Sequence, residues 1–242
     1  MQKILNPGQL EAFYHDQFVE DQIDHFLQLM NSIRDPIKVE EGVLVDVGGG
    51  VGYFALAIKQ KLGCCVRVID MDPASIEACR SKGIEGTLGD AISITCQNDE
   101  NIACFNLILH HLVGKSNSET YDLQSKALSN WNVQNTYVFV NEYIYESFID
   151  GFSSWLIYQI TSNAILSALG KSIAKFVPSF KANTFGVGVR FRSHQEWVTL
   201  FEAAGFRVLE SKIGTEEPIS PPLRLMLIKH IRRDSFLLEA AG

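Results

Sequence analysis

The stretch from Val43 to Gly52, Val-Leu-Val-Asp-Val-Gly-Gly-Gly-Val-Gly, constrains this chain more than any other part of it. Five residues, four of them valine or leucine, suit a short strand buried on both faces. Glycine at positions 48, 50 and 52 lets the backbone turn tightly and come close to a ligand that a Cβ would hold off. Phe54-Ala-Leu-Ala-Ile-Lys then opens a helical pattern, which places the glycines at a strand-to-helix turn. The same alternation continues, with strands expected at 43–47, 65–70, 84–88, 104–110 and 136–145 and helices near 53–61, 74–81 and 117–130. Right-handed parallel crossovers follow from that order, giving a doubly wound α/β sheet with its ligand crevice at the carboxyl ends of the strands.

A dinucleotide-binding fingerprint needs glycine at i, i+2 and i+5, and counting from Gly48 the last place falls on Tyr53. That disfavours a nicotinamide oxidoreductase. The pattern that does match is Asp/Glu-x-Gly-x-Gly-x-Gly, carried by Asp46, Gly48, Gly50 and Gly52, and through it the chain resembles the class I S-adenosylmethionine-dependent methyltransferases. The resemblance implies a Rossmann-like sheet, mostly parallel with the last strand antiparallel. It also implies S-adenosylmethionine as cofactor, S-adenosylhomocysteine as product, and Gly49 as part of the cofactor loop. Specific motifs carry it over roughly 40–145; elsewhere only architecture does.

Asp70 ends the second strand 18 residues after Gly52, close to the offset at which a carboxylate meets a ribose diol. Asp72 competes for that role, but Asp72-Pro73 reads as the N-cap and first position of a helix. By resemblance, Met71 would pack on the adenine and the Asp90-Ala91 pair would meet the adenine amino group. Gly89-Asp90 is equally an ordinary turn pair. At the end of the fourth expected strand, His110 and His111 reach the crevice. Either imidazole could take a hydroxyl proton or sit by the cofactor, or both could simply hold the loop by bonding backbone carbonyls. Tyr14, His15 and Phe18 from the first helix, Glu142, Tyr143 and Tyr145 after the fifth strand, Trp155, and Arg190 are the candidate acceptor-binding residues.

At 242 residues the chain is expected to be a single domain, with 1–35 as an N-terminal helical cap and 148–190 as a lid inserted after the fifth strand. Apolar residues from Leu10 to Ile33 recur at helical steps until Pro36. From Gly151 to Gly170 no residue is charged, which is the length of a membrane span. Gln159, Asn163, Thr161 and four serines dilute it, so a cap over the acceptor, or a core or homodimer helix, is expected instead of stable membrane insertion. Glu196 to Gly205 reads as a late helix, with final strands at 206–213 and 223–231.

The net charge of −7 argues against nucleic acid as a partner, since backbone binding needs clustered Lys and Arg. Five cysteines without metal-ligand spacing suggest reduced thiols in a cytoplasmic protein, and the first eight residues hold no apolar leader. Two subfamily signatures are absent. His110-His-Leu-Val stands where nucleobase amino-methyltransferases carry Asn/Asp-Pro-Pro-Tyr, and no acidic cluster suits magnesium. Metal-independent transfer to a small organic acceptor, on oxygen by likeness of Trp197-x2-Leu-Phe-x2-Ala-Gly-Phe to small-molecule O-methyltransferases, is the expectation. N- or C-methylation and a non-catalytic binding protein are the alternatives.

Overall fold

The structure, a computed structural model, describes residues 16–32, 42–168, 186 and 188–242. Its elements in chain order are α1 (Asp16–Ser32), β1 (Val43–Val47), α2 (Tyr53–Leu62), β2 (Cys65–Asp70), α3 (Pro73–Ser81), β3 (Glu85–Leu88) and β4 (Glu100–Asn106). A single 3-10 turn, Leu109–His111, follows, and then α4 (Asn117–Ser129), β5 (Tyr137–Ser147), α5 (Phe152–Ser162), α6 (His194–Ala203), β6 (Phe206–Lys212), α7 (Pro221–Leu225) and β7 (Ile228–Ala240). The strands form one sheet in the order β3-β2-β1-β4-β5-β7-β6. Strands β1 to β5 run parallel, and β7 pairs antiparallel with both β5 and β6. The strand order reverses between β1 and β4, so a crevice opens where their carboxyl ends diverge.

Alternation along each strand divides the interior into two layers. On one face Val45, Val47, Ala103, Phe105, Val138 and Val140 pack with Trp131, Trp197 and Phe201. On the other, Leu44, Val68, Cys104 and Phe139 pack beneath Phe26 of α1 and Phe54 of α2, where Phe26 meets both other rings edge-on. Helix α1, residues 16–32 of the longer helix expected from the sequence, packs on this face of the sheet, and the remainder of 1–35 lies outside the described residues. A third, smaller cluster of Ile157, Val189, Phe191, Ile228 and Ile231 gathers around the far halves of β5 and β7. Those halves continue past the end of β4, since Asn106 pairs with Asn141 and β5 runs on to Ser147.

Three expectations need correction. The fourth strand spans 100–106 instead of 104–110. Its start is hidden in sequence by Glu100, a buried carboxylate that pairs with Arg67. Its end comes early because Leu107 takes a positive φ of 54°, which breaks the extended run and folds the next residues into the 3-10 turn. The last strand occupies 228–240 instead of 223–231. Ser220 and Pro221 start the short helix α7, and Leu227 turns out of it at φ 59°. The late helix begins earlier than Glu196, at His194, behind a capping box in which Ser193 and Glu196 bond each other's backbone N–H.

Candidate active site

The glycine turn is held in place by side chains from the elements around it. Gly48, Gly50 and Gly52 have φ of 69°, 55° and 77°. The Gly50 N–H donates to Asp70 Oδ2 at 3.0 Å, and its carbonyl accepts the Cys79 thiol at 3.3 Å. Lys82 Nζ reaches the Val51 carbonyl at 2.8 Å and lies over the Tyr53 ring. Beneath the turn, Asp46 is buried with Asn106 Nδ2 donating to it at 3.2 Å. Burial raises its carboxyl to about 7. A Cβ on Gly49 would lie 2.4 Å from Asp46 Oδ2, and one on Gly48 would lie 2.6 Å from Ile108 Cγ1. Gly49→Ala should therefore cost about 1–3 kcal/mol of packing strain. Thermal unfolding should show a midpoint lowered by several degrees, whereas Gly63→Ala, with open space at its Cβ, carries only the strain of its φ of 68°.

A small open cleft lies at the strand ends, lined by Gly48, Ile69, Asp70, Met71, Gly89, Ala91 and Ile108. Its walls combine the side chains of Ile69, Met71, Ala91 and Ile108 with backbone polar groups, and the Asp70 carboxylate faces it. Asp70 Oδ2 takes Gly50 N–H, and Oδ1 takes the Asp72 N–H at 2.8 Å, so each oxygen keeps a lone pair for a ligand hydroxyl. Burial holds the Asp70 carboxyl above the usual range, opposed by the backbone donors of Asp72, Gly50 and Met71. Asp72 is spent elsewhere: its side chain accepts from Ala74 and Ser75 as the N-cap of α3. Asp90 Oδ1 accepts the Ile92 N–H at 3.1 Å, closing the turn on which Ala91 meets the cleft. No atom lies within 4 Å of where a Gly50 Cβ would stand, so the turn leaves room for a group to settle against it. The cleft thus offers apolar side chains, one carboxylate and an unobstructed stretch of backbone to a ligand.

Two residues past Ile108, the chain presents a buried polar constellation. Glu142 of β5 is fully buried; Oε1 accepts the Leu109 N–H at 2.7 Å and the His110 N–H at 3.4 Å, and Oε2 lies 2.7 Å from His110 Nδ1. One carboxylate thus fixes both the turn and the ring. His110 is buried among His111, Phe191 and Tyr143, with ring centroids at 4.1, 5.0 and 5.9 Å. His111 is half-buried, and desolvation together with the adjacent His110 holds it well below the usual histidine range. Tyr145 stacks on Phe191 at 4.2 Å, and burial pushes the Tyr143 hydroxyl up to about 12 and Tyr145 higher still.

The other expected acceptor residues are placed less centrally. Arg190 is buried and its guanidinium faces inward, donating to Asn117 Oδ1, the Phe191 carbonyl and Glu196 Oε1. What Arg190 gives the site is its backbone: its N–H donates to the His110 carbonyl at 2.9 Å. Trp155 is 45% exposed on α5 beside Phe152. Tyr14, His15, the side chain of Phe18 and much of 148–190 beyond Ser167 lie outside the described residues. Among the described residues no helix is long and apolar enough to cross a membrane, and no group of three His, Cys, Asp or Glu side chains is placed to hold a metal ion. Sequence reasoning passed over Asn106, Phe191 and Gln124. For Gln124 a weak signal exists, a polar residue sharing the buried face of α4 with Thr120, Ala127 and Leu128.

No family model and no curated protein sequence matches the chain. Solved structures do. The mitomycin 7-O-methyltransferase MmcR aligns with a TM-score of 0.54 at 14% identity, over 91% of this chain and 54% of its own. LepI in complex with S-adenosylmethionine gives 0.51 at 14%, over 88% and 46%. A candidate methyltransferase from Bacillus halodurans C-125 gives 0.56 at 12%, over 90% and 97%. The chain spans about half the length of LepI and MmcR and nearly all of the Bacillus protein. Identities this low speak for architecture alone: the seven-stranded sheet, parallel but for β7, is a Rossmann-like methyltransferase fold.

Proposed function

We propose that this chain is an S-adenosylmethionine-dependent methyltransferase that methylates a hydroxyl of a small organic acceptor without a metal ion. The observation that carries the reading is the Glu142–His110 pair, whose histidine follows two residues after Ile108, a residue in the lining of the Asp70 cleft. In its bound state the cofactor supplies a methyl group already activated by its sulfonium. The protein then has to bind, align and deprotonate the acceptor, and keep water away. Asp70 would take the ribose diol, Met71, Ala91 and Ile69 would enclose the base, and Asp90 would sit near its amino group. With Nδ1–H directed to Glu142, His110 presents Nε2 as its basic nitrogen. The acceptor hydroxyl proton passes there as the oxygen takes the methyl group, and Glu142 stabilises the resulting imidazolium. His111 has no carboxylate at its ring in this constellation and is a poor base at its lowered pKa, so it serves the loop. Tyr143, Tyr145 and Phe191 supply an aromatic wall for the acceptor.

Calorimetric titration separates this reading from the nucleotide alternative. S-adenosylhomocysteine should bind with a Kd in the micromolar range, worth about 8 kcal/mol, and NAD should give no heat at the same concentrations. NAD binding with no response to S-adenosylhomocysteine would overturn it. Screening phenols, alcohols and amines for methyl transfer from labelled cofactor identifies the methylated atom. Transfer confined to amines or carbon acids would reject O-methylation while leaving the cofactor assignment intact.

A further inference from the structure

The turn that carries His110 is gripped from a second side by one neutral side chain. Gln124 of α4 is fully buried, and both ends of its amide are used. Nε2 donates to the Leu109 carbonyl at 2.9 Å, and Oε1 accepts from Arg192 Nε at 2.9 Å and Nη2 at 2.6 Å. Arg192 is in turn anchored over the rings of Tyr121 and Trp197, at 5.3 and 5.6 Å from their centroids, and its carbonyl takes the Tyr145 N–H at 3.0 Å. The chemistry of this position asks for a side chain with both a donor and an acceptor. A carboxylate could take the guanidinium but has no donor for the carbonyl, an ammonium has no acceptor for the guanidinium, and an aliphatic chain has neither.

Leu109 is also the residue whose N–H bonds Glu142 Oε1. The turn is therefore fixed at its N–H side by the carboxylate that orients the imidazole, at the Leu109 carbonyl by Gln124, and at the His110 carbonyl by Arg190 N–H. We propose that Gln124 is a positioning residue for His110, coupling the buried guanidinium of Arg192 to the backbone of the turn so that Nδ1 meets Glu142. An effect on rate rests on His110 being the base; an effect on the imidazole itself does not.

The test uses Gln124→Glu and Gln124→Met in the full chain, read in two ways. Titration of His110 followed by nitrogen NMR should show its midpoint displaced by roughly half a unit or more in both variants. The rate constant should fall roughly tenfold, as small misplacements of a reacting group do, with S-adenosylhomocysteine affinity unchanged. In a His110→Ala background the same substitutions should cost nothing further, since residues acting through one another are non-additive. Gln124→Glu keeps an acceptor for Arg192 but adds a charge that can move the titration by itself, whereas Gln124→Met removes the link to Leu109 and adds none. If Gln124→Met folds with an unmoved His110 titration and wild-type turnover, the proposal falls, whatever its thermal midpoint. Should His110→Ala be as active as the wild type while the titration still moves in the Gln124 variants, the general-base reading fails and the positioning role stands.

Discussion

His110→Ala lowers the rate constant for methyl transfer by about a hundredfold or more at saturating substrates, because a positioned general base contributes typically ~10²- to 10⁴-fold. The size of the loss follows from the geometry. His110 is the imidazole with a buried carboxylate 2.7 Å from Nδ1, and that carboxylate also holds the two amide groups leading into the ring, so position and tautomer are set before any acceptor arrives. Glu142→Gln should come close to the same loss. An amide can still accept the Leu109 N–H, but it either turns its NH₂ to the ring or offers a neutral oxygen, and the imidazolium loses its counter-charge. His111→Ala should stay within a fewfold of wild type. Single-turnover measurements with a identified acceptor, alongside calorimetry showing unchanged cofactor affinity, check all three. Turnover of His110→Ala within a fewfold of wild type, with transfer rate-limiting, would make the histidines structural and leave proximity to do the catalysis.

Asp70→Ala weakens S-adenosylhomocysteine binding at least tenfold. A hydrogen bond to a charged group is worth about 1.5–3 kcal/mol, and about 1.4 kcal/mol is a factor of ten in affinity. Two effects add here. The variant loses the acceptor proposed for the ribose diol, and it also releases Gly50 N–H and Asp72 N–H, which tie the glycine turn and the start of α3 to the end of β2. The pH dependence has a definite sign. Burial raises the Asp70 carboxyl, the ionised form is the one that accepts both hydroxyls, and so affinity falls as pH is lowered into its raised range. Asp70→Asn should remove that part of the pH dependence while keeping one acceptor. An Asp70→Ala protein that folds and binds with wild-type affinity would place the cofactor elsewhere.

How far the sequence could be read depended on whether local chemistry or distant partners set each element. The glycine turn, the N-cap role of Asp72 and the crevice at the strand ends were legible, since each depends on neighbours within a few residues. The early end of β4 was not, because a leucine at φ 54° gives no sign of itself in composition. The final strand was displaced for a different reason. Arg232, Arg233, Asp234 and Ser235 look like a polar break, yet Asp234 and Ser235 are fully buried, satisfied by Arg232 and His194 in one case and by Asn141 and His25 in the other. Glu142 was singled out only as one acceptor contact among several, and its pairing with His110 needed the register of β4 on β5 to be seen. Gln124 acts through partners 15 and 68 residues away, and no periodicity encodes such a link.

The place of β7 has a consequence for how the chain is made. Strand β6 finds its neighbour in β7, and β7 is also what closes the outer edge of β5, so a growing polypeptide carries both as open edges until residues 228–240 have left the ribosome. During that interval Val138, Phe139 and Val140, later enclosed, sit on a strand with an unpaired side, the kind of surface on which nascent chains join one another. The half of the sheet that bears the glycine turn, β3-β2-β1-β4, is complete well before then. Synthesis thus completes the half of the sheet that bears the glycine turn first and leaves β5, whose Glu142 bonds the His110 ring, to be locked by β7, which follows the other six strands in sequence.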